Sequence, residues 1–125
     1  MKRLDSAKAP QAVGPYSQAL VTGDLVFLSG QVGIDRQTGQ LQNGLEEQTH
    51  QVFRNISYVL EEEGLTLKDV VKTLVLLSDI QDYATVNGIY AQYFEEPYPA
   101  RSAFAVAALP LGAKVEIEVV ARIAR

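Results

Sequence analysis

The clearest periodicity in the chain lies between residues 45 and 63. Leu45, Thr49, Val52, Phe53, Ile56, Val59 and Leu60 recur at spacings of three and four, which puts them on one stripe of an amphipathic helix. Gly64 follows, the residue type that commonly caps a helix C-terminus. The next run, DVVKTLVLL at 69–77, is dominated by β-branched and leucine residues and predicts a strand. Asp79 is then placed as a helix N-cap, with Asp82 near the positive end of the helix dipole. This second helix is expected to run to about Phe94, with Tyr83, Val86, Tyr90, Tyr93 and Phe94 on its inner stripe. Pro97 and Pro99 forbid its continuation.

Upstream, SQALVT at 17–22 and LVFLSG at 25–30 flank Gly23-Asp24, which reads as a β-hairpin with a tight turn. Residues 31–44 are rich in Gly, Gln and Asn and read as a long loop turned by Gly39. Two final strands are expected at about 101–109 and 115–123, joined by a turn around Pro110 and Gly112. The order is β-β-α-β-α-β-β, an α+β arrangement of a mixed sheet with two helices, and residues 1–125 read as one domain. VFLSG, VVKTLVLL and AFAVAAL carry apolar or small residues on both faces, whereas an exposed sheet face should alternate apolar with polar. Two helices cover one face. The expected cover of the other is a second copy of the chain.

Composition narrows the chemistry. The chain has no cysteine and one histidine, so disulfides, thiolate zinc sites, a Cys nucleophile and a multi-histidine metal site are excluded. The net charge of −4 opposes broad nucleic-acid binding, and no run of Lys and Arg stands in the sequence to reverse that. No apolar run approaches the roughly 20 residues of a membrane-spanning helix. The N-terminus has basic residues but no apolar stretch behind them, so the expected location is the cytoplasm.

Arg101 stands at the mouth of the strand that follows Pro99. On strand parity it shares a face with Ala103, Ala105 and Ala107, small neighbours that leave room beside a long side chain. It is either a bidentate clamp for a carboxylate or phosphate, or a strand-end arginine in a salt bridge or water. Glu116 and Glu118 share one strand face with Val120 and Arg122, opposite Val115, Ile117 and Val119. One carboxylate is a candidate general base; the plain alternative is a solvated face or an ion pair. Tyr16 is a candidate pocket wall or a core tyrosine. Ser29 and the N–H of Gly30 are candidate anion contacts, although Gly30 could serve only the turn. His50, on the flank of the first helical stripe, reads as a polar-face residue, and the tyrosines at 83, 90 and 93 read as helix core.

GPYSQA at 14–19, SGQV at 29–32, QTHQVFRNI at 48–56, VVKTLVLLSDIQDYATVNGIYAQYF at 70–94, PARSA at 99–103 and LPLGAKVEIEVVA at 109–121 together resemble the Rid (YjgF) family of reactive-intermediate deaminases. The resemblance covers nearly the whole chain. It implies a chorismate-mutase-like fold, with helices on one face of a mixed sheet and three sheets forming the barrel-like core of a trimer with clefts between subunits. It implies hydrolysis of small 2-imino acids or their enamines (2-iminobutanoate and 2-iminopropanoate, released by pyridoxal-phosphate dehydratases) to 2-oxo acids and ammonia, with no metal or organic cofactor. Carried onto this sequence, it implies that Arg101 binds the substrate carboxylate and that the carbonyl of Ala103 accepts from the imine N–H or holds water. Glu116 orients and activates that water. Tyr16 walls the pocket, Ser29 and Gly30 lie near the carboxylate end, and Asn87 lies near the cleft. Many members carry Cys where this chain has Ala103, so a thiol role is absent here. The stretch EEPYPARS is short beside many relatives. The competing reading is a non-enzymatic small-anion sensor or partner-binding regulator using the same cleft.

Overall fold

The computed structural model describes residues 1–124. A seven-stranded sheet has the order β1-β2-β3-β9-β7-β8, with β4 pairing β9. Its strands are β1 (Lys2–Leu4), β2 (Ala19–Thr22), β3 (Leu25–Leu28), β4 (Gln31–Val32), β7 (Val70–Leu77), β8 (Ala100–Ala105) and β9 (Val115–Arg122). A separate small hairpin joins β5 (Ile34–Asp35) to β6 (Gln40–Leu41). Helices α1 (Leu45–Glu61) and α2 (Tyr83–Tyr90) complete the fold. Among the described residues only β7 and β8 run parallel; the other pairs are antiparallel. The sheet is mixed, as expected, because α2 serves as the crossover between β7 and β8.

Strand alternation sorts the two faces. Val26 and Leu28 of β3, Thr73, Val75 and Leu77 of β7, and Val115, Ile117, Val119 and Ala121 of β9 are buried beneath the helices. They pack with Val52, Phe53, Ile56, Val59 and Leu60 of α1 and Val86, Ile89 and Tyr90 of α2. The opposite face carries Leu25 and Phe27 of β3, Leu74 and Leu76 of β7, Phe104 of β8, and Glu116, Glu118 and Val120 of β9. Among the described residues no element covers it, and Phe27 and Phe104 remain 45% and 48% exposed.

The elements depart from the sequence expectations in four places. β1 was not expected; Arg3 and its neighbours pair with β2 through register Arg3↔Leu20. Residues 31–44 are more than a loop: β4 joins the sheet opposite Glu116, and the β5–β6 hairpin turns at Gly39, whose φ is 73°. The second helix is shorter than expected. Asp79 caps a single 3-10 turn (Ile80–Asp82), its side chain accepting from the Gln81 N–H at 2.9 Å, and α2 starts only at Tyr83. Beyond Tyr90 the N–H groups of Gln92 and Tyr93 reach back three residues, at 2.9 and 3.0 Å, so the last turn tightens and the helix stops. The strand expected at 101–109 ends at Ala105. Val106 still donates to the Leu77 carbonyl at 2.9 Å, but β7 ends there and offers no further ladder.

α1 ends as Gly64 implied. Leu65 donates to the Leu60 carbonyl at 3.0 Å and Gly64 to that of Glu61 at 2.9 Å, a Schellman arrangement with Gly64 at φ 71°. Besides its apolar stripe the helix buries three amides. Gln48 accepts from the Lys114 N–H at 2.9 Å. Asn55 donates to the carbonyls of Val32 and Ile34 at 3.1 and 2.9 Å. Gln51 donates to Asn55 at 2.8 Å. These bonds seat the segment after β4 tightly on the helix. A methyl group at Gly33 would stand 2.6 Å from the Cα and carbonyl oxygen of Gln48. Backbone cannot swing aside as a side-chain tip can. Gly33→Ala is therefore expected to destabilise the fold by about 1–3 kcal/mol, the usual cost of overpacking. Denaturant melts of both proteins at one fixed concentration test this; an unchanged midpoint would contradict the close approach.

Candidate active site

The residues singled out from the sequence fall into two groups. The first is built on β8 and α2. Tyr83, Asn87 and Tyr90 are spaced at four and three along α2, so they share one face of the helix. That face meets Arg101. Its Nη1 donates to Asn87 Oδ1 at 2.8 Å and its Nη2 to the Tyr83 hydroxyl at 2.8 Å. The guanidinium carbon lies 4.7 Å from the Tyr90 ring centroid and 5.7 Å from that of Tyr83, within cation–π range. Tyr90 is itself fixed, edge-on to Phe53 and hydrogen-bonded to buried Thr73 at 2.9 Å. Among the described residues no carboxylate pairs with Arg101. A full positive charge is thus held in a defined orientation by neutral groups, with donors to spare. Ala103, two residues on, is partly buried on the same edge strand, whose outer backbone side has no ladder partner.

The second group is built on the turn after β3 and on β9. Ser29 Oγ donates to the Ser17 carbonyl at 2.6 Å and its N–H to the Gln18 carbonyl at 3.0 Å, which brings the segment holding Tyr16 beside the end of β3. Tyr16 is 52% exposed. Glu116 is half-buried on β9 opposite Val32. Gly30 lies against it. A methyl group there would overlap the Glu116 carboxylate, with Cδ only 2.9 Å away. Burial, and secondarily the nearby Glu118 charge, push the Glu116 carboxyl above the usual carboxylate range.

The two groups do not meet within one chain. Arg101 is in register with Thr73, and Thr73 with Val119, so Arg101 belongs to the helix side. Glu116 is in register with Leu76, and Leu76 with Phe104, so Glu116 belongs to the open face. None of the four main cavities among the described residues is lined by either side chain.

Sequence reasoning placed Tyr83 in the helix core, but it is exposed and holds Arg101. The missed signal is the i, i+4 pair Tyr83–Asn87, which could have been matched to the next basic residue. Ala107 lies beyond the end of β8 and shares no strand face with Arg101. His50 bonds through Nδ1 to the Tyr93 hydroxyl at 2.5 Å, on the flank of α1. Among the described residues no three His, Cys, Asp or Glu side chains converge as metal ligands.

Residues 6–123 match the protein family described as Endoribonuclease L-PSP. The chain belongs to this family, that of the Rid (YjgF) proteins. It is 49% identical over 119 residues to a human protein named 2-iminobutanoate/2-iminopropanoate deaminase, covering 94% of this chain and 87% of that one. Among solved structures, RidA from an Antarctic Psychrobacter superposes with a TM-score of 0.95 at 46% identity, covering 98% of this chain and all of that one. TdcF from E. coli, solved with bound serine, superposes at 0.94 with 36% identity, covering 99% and 100%. The mixed sheet with two helices is therefore the family fold.

Two substitutions probe the groups separately. Tyr83→Phe is expected to leave the fold intact and to free the guanidinium from one of its two acceptors, visible as faster exchange of the Arg101 side-chain N–H signals. Gly30→Ala is expected to leave the melting temperature nearly unchanged, because the obstructing atoms are a side-chain tip. It should instead displace the Glu116 carboxyl and alter its NMR titration. An unaltered titration would rule out the close packing of Gly30 on Glu116.

Proposed function

We propose that this chain is a 2-iminobutanoate/2-iminopropanoate deaminase, working as a single domain over residues 1–125 in the cytoplasm. The observation that carries the reading is the unpaired, rigidly seated Arg101, in a chain about half identical to proteins named for this activity. The small 2-imino acid offers the carboxylate that Arg101 lacks. Water adds to C2, the carbinolamine collapses, and ammonia leaves with the 2-oxo acid formed. Arg101 fixes the carboxylate by charge-assisted hydrogen bonds, and Asn87 and Tyr83 fix Arg101. Glu116 orients the water, takes up its proton as the C–O bond forms, and returns it to the nitrogen, so that the C–N bond breaks with ammonia as the leaving group. The carbonyl of Ala103 accepts from the imine N–H. Tyr16 walls the pocket, with Ser29 and the N–H of Gly30 towards the carboxylate end. Fixed placement of water and imine supplies much of the rate gain, since the carbon is already electrophilic.

A homotrimer brings the two groups together. Arg101 and its α2 platform come from one subunit, and Glu116 with Gly30, Ser29 and Tyr16 from the next. The uncovered sheet face, with Leu25, Phe27 and Phe104 exposed, supports this assembly, since such a patch marks an interface. The ribonuclease label of the family description fits poorly with a chain of net charge −4.

The serine bound by the E. coli relative favours a second reading, a sensor of amino-acid-like anions. Glu116 separates the two, because water activation needs it and carboxylate capture does not. Coupled to a threonine dehydratase, the protein should accelerate release of 2-oxobutanoate. Arg101→Ala should lower kcat/KM by about a hundredfold or more, the loss of two charge-assisted hydrogen bonds. Glu116→Gln should lower kcat by about 10²–10⁴-fold while substrate analogues still bind. Failure to accelerate at all would leave only the sensor.

The sign of the pH dependence follows from Glu116. Its acid form cannot accept a proton, so activity should fall as pH drops through its raised pKa. Glu118→Gln removes part of the cause of that shift and should move the acid limb of the kcat/KM profile to lower pH. A limb that does not move would assign it to another group. Light scattering should give a trimer; a monomer at micromolar concentration would contradict the shared site.

A further inference from the structure

A cleft on the outer flank of α1 shares no lining residue with either group above. It has a volume of about 500 Å³ and lies between α1, the segment at residues 7–8 and the β5–β6 hairpin. Lys8, Arg36 and Arg54 line it, against one carboxylate, Asp35. These basic residues are far apart in sequence, which is why no basic run announced them. The surplus is positive on a chain whose net charge is −4.

The two arginines are anchored without being neutralised. Arg54 donates through Nε and Nη2 to Gln51 Oε1 at 3.2 and 2.9 Å. Gln51 is only 4% exposed, and the same oxygen accepts from Gln42 at 3.0 Å. Arg36 donates through Nη1 to the Ala9 carbonyl at 2.7 Å. Neither arginine has a carboxylate partner among the described residues. Asp35 accepts from the Gln37 N–H at 2.9 Å and closes the hairpin turn. Lys8 lies 3.6 Å from Glu61, an exposed pair of little energetic weight, and 5.7 Å from the Tyr58 ring centroid. Holding a hairpin to a helix needs only hydrogen-bond donors. It does not need guanidinium charge, and uncompensated like charges in one cleft repel one another.

We propose that this cleft is a binding site for a small phosphate-bearing ligand. With Asp35 in the lining and Glu61 beside Lys8, three cations leave a net positive charge, and the two arginines without carboxylate partners present donors that the several oxygens of one phosphate can engage together. Guanidinium forks suit phosphate oxygens. The volume exceeds that of a bare phosphate and leaves room beside Tyr58 for an organic portion. The cleft lies on the helix side of the sheet, so covering the open face leaves it accessible.

The test is a titration of the intact protein with inorganic phosphate, and separately with phenyl phosphate, at ionic strength held constant with sodium chloride. Backbone amide and arginine Nε–H signals are followed by NMR. Saturable shifts are expected around Arg36, Arg54 and Tyr58, with a dissociation constant of about 1 mM or lower. Arg36→Gln should weaken binding about tenfold, the loss of one charge-assisted contact. Lys8→Gln makes no structural hydrogen bond and should also weaken it. Arg101→Ala should leave it unchanged. Tighter binding of phenyl phosphate identifies an organic ester as the ligand class; equal binding identifies the free anion. Shifts that never saturate, that vanish in Arg101→Ala, or that persist unaltered in both Arg36→Gln and Lys8→Gln overturn the proposal.

Discussion

The constraint on which the molecule depends is the strict alternation of β9. This strand lies between β3 and β4 on one side and β7 on the other. Val115, Ile117, Val119 and Ala121 are sealed beneath the helices at 2% exposure or less. Their neighbours Glu116, Glu118, Val120 and Arg122 must then project to the other face. A one-residue slip would exchange the two sets and drive two carboxylates into the core. The position of Glu116 is therefore a consequence of core packing. So is its separation from Arg101, which is bound by register to the helix side.

That separation gives the two groups different physical characters. The arginine rests on an aromatic platform and bonds neutral acceptors, so its charge is oriented without being cancelled. The glutamate is crowded by Gly30, half-desolvated and repelled by Glu118, so its charged form is disfavoured. One group presents an oriented positive charge, the other a carboxyl biased towards its neutral form. Within one chain they stay on opposite faces of the sheet.

Much of this was legible from residue order. The α1 stripe, its Gly64 terminus, the Gly23-Asp24 hairpin and the β7 and β9 strands follow from periodicity and turn chemistry, and the structure has them. Helix ends were less legible. Asp79 is a sound capping residue, but capping chemistry does not distinguish a 3-10 turn from an α-helix. The end of β8 depends on where β7 stops, a partner effect invisible along a single segment. Short pairings such as β4 with β9 carry too few residues to show a period. Arg101, Glu116 and Gly30 were visible as candidates: a charge at a strand mouth, a carboxylate on a strand face and a glycine at a strand end. Tyr83 was not, because a tyrosine on a helical stripe has the same spacing whether it packs in a core or holds a guanidinium at its edge.

The buried amides of α1 have a mechanical consequence. Apolar side chains slide over one another at modest cost, since a neighbouring hollow is nearly as good as the first. Gln48 and Asn55 act instead as keys cut for particular backbone atoms, the amide of Lys114 and the carbonyls of Val32 and Ile34, and Gln51 braces Asn55. Moving the helix by one turn would leave those atoms and the amides themselves without partners, in a place water does not reach. The helix therefore has a single permitted seating along its axis. Its outer face, with Arg54 and Tyr58, inherits that indexing. Greasy residues in the core can change size over time without letting the surface beyond them drift.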